Sequence, residues 1–328
     1  MRERIFGRTG HSVSEVGFGA WAIGDAWGRV NDEEAIAALH AALDAGVDFI
    51  DTADVYGDGH SERLIARALK ARGGRRPFVA TKVGRRLPQQ TVAGYSAENL
   101  TLFVDRNLKN LQADTLDLVQ LHCPPTDLYY HPEVFERMER LVRQGKIRHY
   151  GVSVERVEEA LKAIEYPGVV SVQIVFNLFR MRPAELFFRQ AQERNVAVIA
   201  RVPLASGLLS GKFSRETRFE SDDHRLFNRN GEAFDVGETF SGVPYEVGLA
   251  AVERIRPLVS GDATMAQLAL RWILMHEAVT VVIPGARNPP QALANVAAAG
   301  LPPLSDEVMD RIARIYAEDI KPYVHQRW

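Results

Sequence analysis

The chain is poor in cysteine, in lysine and in long apolar runs. Cys123 is the only cysteine in 328 residues. That excludes an intramolecular disulfide framework and a cysteine-built zinc cage, and it suits a reducing compartment. No uninterrupted apolar segment is long enough to span a bilayer. The start, Met1-Arg2-Glu3-Arg4-Ile5, lacks the apolar core of a secretory signal, so a cytoplasmic location is expected. The formal net charge of -2 gives no pull towards nucleic acid or an anionic membrane as partner. Linkers, low-complexity tracts and short-period repeats are also missing, and residues 1–328 read as one domain. Lysine occurs only at Lys70, Lys82, Lys109, Lys146, Lys162, Lys212 and Lys321. A lysine that ends an apolar strand therefore stands out from the background.

What the chain does have is an alternation of short apolar runs with amphipathic stretches. The runs at 16–20, 47–51, 78–82, 116–121, 147–153, 169–174, 196–201 and 279–283 read as strands. Helices are expected at 32–45, 61–71, 96–111, 132–144, 154–164, 183–194, 245–259, 264–276 and 289–299, with a further one at 305–317. Strand–helix alternation argues a parallel sheet, and nearly continuous apolar strands argue a sheet covered on both faces. Eight such units predict a single (β/α)8 barrel of the α/β class. Ahead of the first unit, Gly7-Arg8-Thr9-Gly10 punctuates a β-hairpin, expected to close the bottom of the barrel. The polar stretch 214–242 follows the seventh strand, on the face where barrel loops carry function, and is expected to act as a lid.

Three strands end in ionisable groups. Phe49-Ile50 runs into Asp51, with Tyr56 five residues on; Phe78-Val79-Ala80-Thr81 runs into Lys82; Leu116 to Leu121 runs into His122. In a parallel barrel these ends converge on one mouth. Four different side chains there match the needs of carbonyl reduction. A phenol can give a proton to the carbonyl oxygen, an ammonium stabilises its ionised form, a carboxylate holds the ammonium, and an imidazole donates to the oxygen as charge develops. No side chain donates hydride, so a cofactor must.

These segments, Asp51-Thr-Ala-Asp-Val-Tyr56-Gly57, Thr81-Lys82-Val83-Gly84 and Gln120-Leu-His122, resemble those of the aldo-keto reductase superfamily. So do Gly17-Phe-Gly-Ala-Trp21, Gly151-Val-Ser153, Gln173, Pro203-Leu-Ala-Ser-Gly-Leu-Leu-Ser-Gly-Lys212 and Ile283-Pro-Gly-Ala-Arg287. The likeness covers nearly the whole chain and is greatest to bacterial sugar and inositol oxidoreductases and to potassium-channel β-subunits. It implies Tyr56 as general acid tuned by Lys82 and Asp51, with His122 orienting the carbonyl. It implies Ser153 and Gln173 at the nicotinamide carboxamide, and Leu204, Ser206, Leu208, Ser210 and Lys212 at the pyrophosphate. Gly285, Arg287, Gln291 and Asn295 would take the adenosine end, and Arg287 favours NADPH over NADH. Gly19, Ala20, Trp21 and Asp51 would border the cofactor, Trp21 also walling the substrate pocket. No metal is implied. The implied activity is NADP(H)-dependent reduction of an aldehyde, ketone or sugar carbonyl. The alternatives are an NAD(P)-dependent sugar or cyclitol dehydrogenase and a cofactor-binding regulatory protein like the channel subunits. Two positions depart from the family pattern. Val154 stands where Asn is usual, and Arg201 stands where an aromatic residue often stacks on nicotinamide, adding positive charge that disfavours the oxidised cofactor.

Three further patterns are set aside. Gly17-Phe-Gly-Ala-Trp-Ala22 has dinucleotide-fingerprint spacing, but no helix opens until near Asp32. His122-Cys123 is not a nucleophile pair, since adjacent strand residues face opposite ways. Asp222-Asp223-His224 reads as a solvated face of a loop rather than a metal cluster. Substrate choice is expected to rest on the loops 21–30, 84–93, 124–131 and 214–242.

Overall fold

The computed structural model describes residues 1–24 and 31–328. Two short strands, β1 (Glu3–Ile5) and β2 (Ser12–Ser14), pair antiparallel as the hairpin expected from the Gly7–Gly10 turn. Eight strands follow: β3 (Phe18–Gly19), β4 (Phe49–Asp51), β5 (Phe78–Val83), β6 (Leu116–His122), β7 (Ile147–Ser153), β8 (Val169–Val175), β9 (Ala197–Arg201) and β10 (Val279–Val282). They pair parallel in sequence order. Parallel bridges from Val16 to Val282 and from Gly19 to Gly285 join the first strand to the last, closing a (β/α)8 barrel.

The first strand is shorter than the 16–20 run suggests. Its ladder covers two residues, because Ala20 already enters a tight turn, Ala20–Ile23. Gly19 sits where the seam is closest: a Cβ there would lie 2.6 Å from the Ile283 carbonyl oxygen, so the seam closes only on a glycine.

The helices begin where polar caps dictate. Asn31 accepts from Glu33 and Glu34 at the start of α1 (Asp32–Asp44), whose acidic first turn suits the helix dipole. Next come α2 (His60–Arg72), α3 (Ala97–Leu111) behind the Ser96 cap, and α4 (Pro132–Arg143). The helices α5 (Val157–Ala163) and α6 (Phe187–Glu193) are shorter than expected. The second loses its first turn because Leu186, at φ -134°, breaks it from the turn Arg182–Ala184. The 214–242 segment contains α7 (His224–Phe227) and two short turns, Val236–Glu238 and Phe240–Gly242. The chain then runs through α8 (Tyr245–Ile255), α9 (Met265–Leu274), α10 (Pro289–Ala297), α11 (Asp306–Ile315) and, after a wide turn at Tyr316–Ile320, α12 (Lys321–Val324).

Inside the barrel the two-residue strand period does the positioning. Phe49, Ala80, Leu118, Ile199 and Val281 form one buried apolar cluster with Phe6 of the hairpin. Two residues further along four of these strands come Asp51, Lys82, Gln120 and Arg201. The same face that is apolar at the bottom thus becomes polar and ionisable at the mouth. The hairpin seals the other end, and Phe6 lies 5.5 Å from Phe49 and 5.1 Å from Phe78 between ring centroids.

Candidate active site

At the mouth, Lys82 is fully buried and its ammonium has three acceptors. It donates to Asp51 Oδ1 at 2.6 Å, to the Thr52 carbonyl at 2.8 Å and to the Tyr56 hydroxyl at 3.2 Å. Those contacts use all the donors an ammonium has. Burial pulls the Lys82 pKa down, but Asp51 and Tyr56 outweigh it and hold the group above its ordinary value. Asp51 is fixed from its other oxygen as well. Gln173 Nε2 donates to Oδ2 at 2.7 Å, and Gln120 Nε2 does so at 3.2 Å.

The expected lowering of the Tyr56 pKa is not what the geometry gives. Burial pushes it above the ordinary phenol value, and Lys82 offsets only part of that rise. The phenol therefore keeps its proton to high pH. His122 moves the opposite way, well below its usual value, because burial and the charges of Arg85, Lys82 and Arg201 all penalise imidazolium. It is a neutral ring standing edge-on to Tyr56, with ring centroids 6.1 Å apart at 85°. Its Nδ1 is buried and has no hydrogen-bond partner among the described residues.

A cavity of about 390 Å³ opens over these groups. Asp51, Tyr56 and His122 lie in its wall with Gly19, Trp21, Gln173, Arg201, Leu204, Ser206, Ser210, Lys212, Gly285, Arg287, Gln291 and Asn295. The expected residues Ala20, Ser153 and Leu208 do not border it. Leu208 points inward, its Cδ1 lying 2.8 Å from where a Cβ on Gly248 would sit. Ser153 lies 3.5 Å from the Cys123 sulfur. The donor set fits a dinucleotide phosphate. Hydroxyls and a lysine lie on the segment after β9, Arg287 and two amides lie at the start of α10 and along it, and a largely apolar cleft leads to the barrel axis. That segment is also strained, since Val202, Ala205 and Ser206 all have positive φ (52°, 47° and 54°). Trp21 walls the cavity as expected, stacked on Tyr56 with centroids 6.0 Å apart.

Arg201 is not a free cation over the cleft. Its Nη2 donates to Glu155 at 2.8 Å and to the Val154 carbonyl at 3.1 Å, and its Nη1 lies 3.3 Å from Glu238. Arg85 bridges the same two carboxylates. Burial lifts Glu155 to about 8, whereas the two guanidinium groups, working against burial, hold Glu238 down at about 2. Gln173 likewise presents its amide nitrogen to Asp51, not to the open cleft. Gln120, Arg85, Glu155 and Glu238 were missed from sequence. Only Gln120 carried a signal, two residues before His122 and so on the same strand face.

Two other expectations are corrected or refined. Asp223 and His224 are buried, not solvated. Asp223 caps α7 and pairs with Arg225, and the His224 ring packs 4.6 Å from Trp21. Burial pushes the Cys123 thiol far up, which disfavours the reactive thiolate. Within the 21–30 loop, residues 25–30 lie outside the described residues.

A closed parallel barrel with an aspartate, a tyrosine, a lysine and a histidine gathered at its mouth defines an oxidoreductase class. The family model described as "Aldo/keto reductase family" matches residues 15–317, and the chain belongs to that family. It is 32% identical over 288 residues to "Aldo-keto reductase YhdN" of Bacillus subtilis (strain 168), covering 86% of this chain and 84% of that one. The glycerol dehydrogenase AKR11B4 from Gluconobacter oxydans superposes with a TM-score of 0.74 at 31% identity, over 97% and 95% of the two chains. The holo form of aldo-keto reductase AKR11C1 from Bacillus halodurans gives 0.75 at 29% identity, over 96% of each. Among the described residues no helix is long and apolar enough to cross a membrane.

Proposed function

We propose that this protein reduces aldehyde, ketone or sugar carbonyls with NADPH, with Tyr56 as the general acid. One observation carries the reading: a single buried ammonium, Lys82, is shared between Asp51 Oδ1 at 2.6 Å and the Tyr56 hydroxyl at 3.2 Å, behind these two side chains in the wall of the cleft. Bound nicotinamide would supply the hydride. The chain's own residues do the rest. Asp51, fixed by Gln120 and Gln173, keeps Lys82 charged and aimed. Lys82 stabilises the phenolate left when Tyr56 gives its proton to the carbonyl oxygen. His122, neutral and with Nδ1 buried, offers the Nε2–H tautomer as a donor to that oxygen. Ser206, Ser210 and Lys212 would hold the pyrophosphate. Arg287 beside Gln291 and Asn295 would hold the 2′-phosphate that separates NADPH from NADH.

The likeness to a glycerol dehydrogenase supports the same site working in the opposite direction on a polyol. In that direction Tyr56 accepts the proton as a base. A panel of neutral carbonyls and polyols, followed by NADPH absorbance in both directions, identifies substrate and direction. Tyr56→Phe is expected to lower kcat by roughly 10²–10⁴-fold on any accepted carbonyl. Full turnover by that variant would refute the acid assignment.

A further inference from the structure

The inserted segment 214–242 sends one side chain towards the tetrad that the proposed chemistry does not use. His224, the first residue of α7, is fully buried. Its chain neighbours hold it there. Asp223 caps α7 by accepting from the Arg225 backbone at 2.9 Å, and its carboxylate also takes Arg225 Nε at 2.8 Å. The Arg225 guanidinium in turn lies over Phe219 at 4.6 Å. So placed, the His224 ring lies 4.6 Å from the Trp21 ring between centroids. Phe234 completes a triangle with both, 6.3 Å from His224 and 6.1 Å from Trp21. Phe234 is itself fixed, with Phe227 edge-on at 6.2 Å and the Arg85 guanidinium over it at 5.9 Å. Trp21 reaches the reacting centre: it lines the cleft and stacks on Tyr56 at 6.0 Å, with 21° between the planes. The turn that carries it, Ala20–Ile23, ends against the Tyr56 backbone, since a Cβ on Gly24 would come within 2.7 Å of the Tyr56 Cβ. The backbone beneath Trp21 is thus held close to Tyr56, and the freedom left to the indole is side-chain rotation. Its ring neighbours from the inserted segment limit that rotation.

We propose that His224 is a positioning residue for substrate selection: its buried ring holds the Trp21 indole against Tyr56 and so fixes the width of the cleft over the phenol that protonates the carbonyl. This rests on the reading of Tyr56 as the acid and of Trp21 as a wall of the carbonyl pocket. The substrate class follows from a wall held in this way. Carbonyls with compact substituents fit beside the indole, and branched or ring-bearing ones are excluded sterically. Replacing the imidazole by a methyl opens a void next to the indole, which loses contacts on that side and gains rotamers. Small carbonyls then lose a wall to bind against, and bulky ones gain room. The contacts that Lys82 makes with Asp51, Thr52 and Tyr56 do not involve His224, so binding and selection change more than the chemical step.

The test compares wild type with His224→Ala, His224→Phe and Trp21→Ala, each confirmed folded by circular dichroism and a thermal transition. The first readout is steady-state reduction with NADPH across a series of aldehydes and ketones of increasing branching. His224→Ala is expected to raise the kcat/KM ratio of branched over unbranched carbonyl about 10-fold, with KM for the small substrate rising more than kcat falls. Trp21→Ala is expected to move the ratio in the same direction. His224→Phe keeps a ring in place and is expected to hold the ratio within about threefold of wild type. The second readout, independent of turnover, is fluorine NMR of fluorotryptophan-labelled protein, with Trp21→Phe identifying its resonance among the 4 tryptophans. That resonance is expected to shift and broaden in His224→Ala and to be restored in His224→Phe. A folded His224→Ala protein with an unmoved ratio, or with an unmoved Trp21 resonance, overturns the proposal. So does a His224→Phe protein that behaves like His224→Ala. Tyr56→Phe keeps the two readings apart: full turnover by that variant refutes the acid assignment, whereas the ratio and the resonance still decide what His224 does.

Discussion

Lys82 answers two groups with one buried charge, and that makes it the most consequential side chain in the molecule. Its removal should differ in kind from removal of the phenol. Tyr56→Phe deletes a hydroxyl at the edge of a cavity and should leave stability nearly unchanged. Lys82→Met leaves Asp51 ionised with no counter-charge in a site that is 2% exposed. Breaking a buried pair in this way costs about 3–5 kcal/mol. The expected outcome is a low kcat together with a clear fall in the urea midpoint, set beside a Tyr56→Phe protein with a normal midpoint. A Lys82→Met variant as stable as wild type would show that the buried pair does not support the fold. The two glutamines on Asp51 Oδ2 matter for the same reason: without them the carboxylate could rotate, and the lysine would lose its direction towards Tyr56.

At the scale of elements, the 214–242 segment is the part of the fold that the barrel does not require. Beside the ion pairs of Glu238 with Arg85 and Arg201, hydrogen bonds tie it to the rest of the chain. Ser206 donates to the Glu238 carbonyl at 3.1 Å, Asn177 donates to Ser241 at 2.8 Å, and Trp328 donates to Asp235 at 2.9 Å. Trp328 also lies against Gly242, where a Cβ would come within 2.4 Å of its ring, and the Arg180 guanidinium lies over the ring at 4.1 Å. The tryptophan therefore clamps the segment that delivers Glu238 to the cleft. Trp328→Ala should cost about 3–5 kcal/mol if the whole fold feels the loss. A purely local loosening would show instead as faster proteolysis between residues 214 and 242 with little change in Tm. Limited proteolysis beside thermal denaturation separates these outcomes. Unchanged cleavage and unchanged Tm would show that the clamp is dispensable.

Across the whole molecule, stability and chemistry sit at opposite ends of the barrel. The hairpin end is sealed by Phe6, which is fully buried against Phe49 and Phe78. The other end collects the charged groups. Phe6→Ala should cost about 3–5 kcal/mol in stability, because it opens a cavity where no side chain can follow. Its kcat on an accepted substrate should stay within about twofold of wild type at a temperature where the variant is folded, since the mouth lies at the far end of the strands. A large loss of kcat with normal far-ultraviolet circular dichroism would show that the two ends are coupled.

How much of this was legible beforehand depends on the range of the forces involved. Strand ends, their inward face and the convergence of Asp51, Tyr56, Lys82 and His122 followed from local periodicity and from the rule that parallel strands share a mouth. The short first strand was not legible, because it is set by how closely Gly19 approaches a carbonyl more than 260 residues away in sequence. The same holds for the arginine–glutamate quartet. Arg85, Glu155, Arg201 and Glu238 come from three strand ends and one inserted turn, and only closure of the barrel brings them within bonding distance. Burial itself is a tertiary quantity, and it reversed the expected direction for Tyr56 and made His224 a buried neighbour of Trp21 rather than a surface residue. The order of residues determined which groups meet at the mouth; the closed barrel decided their solvation, their charge and their partners, since desolvation and Coulomb energy depend on distances that sequence order does not contain.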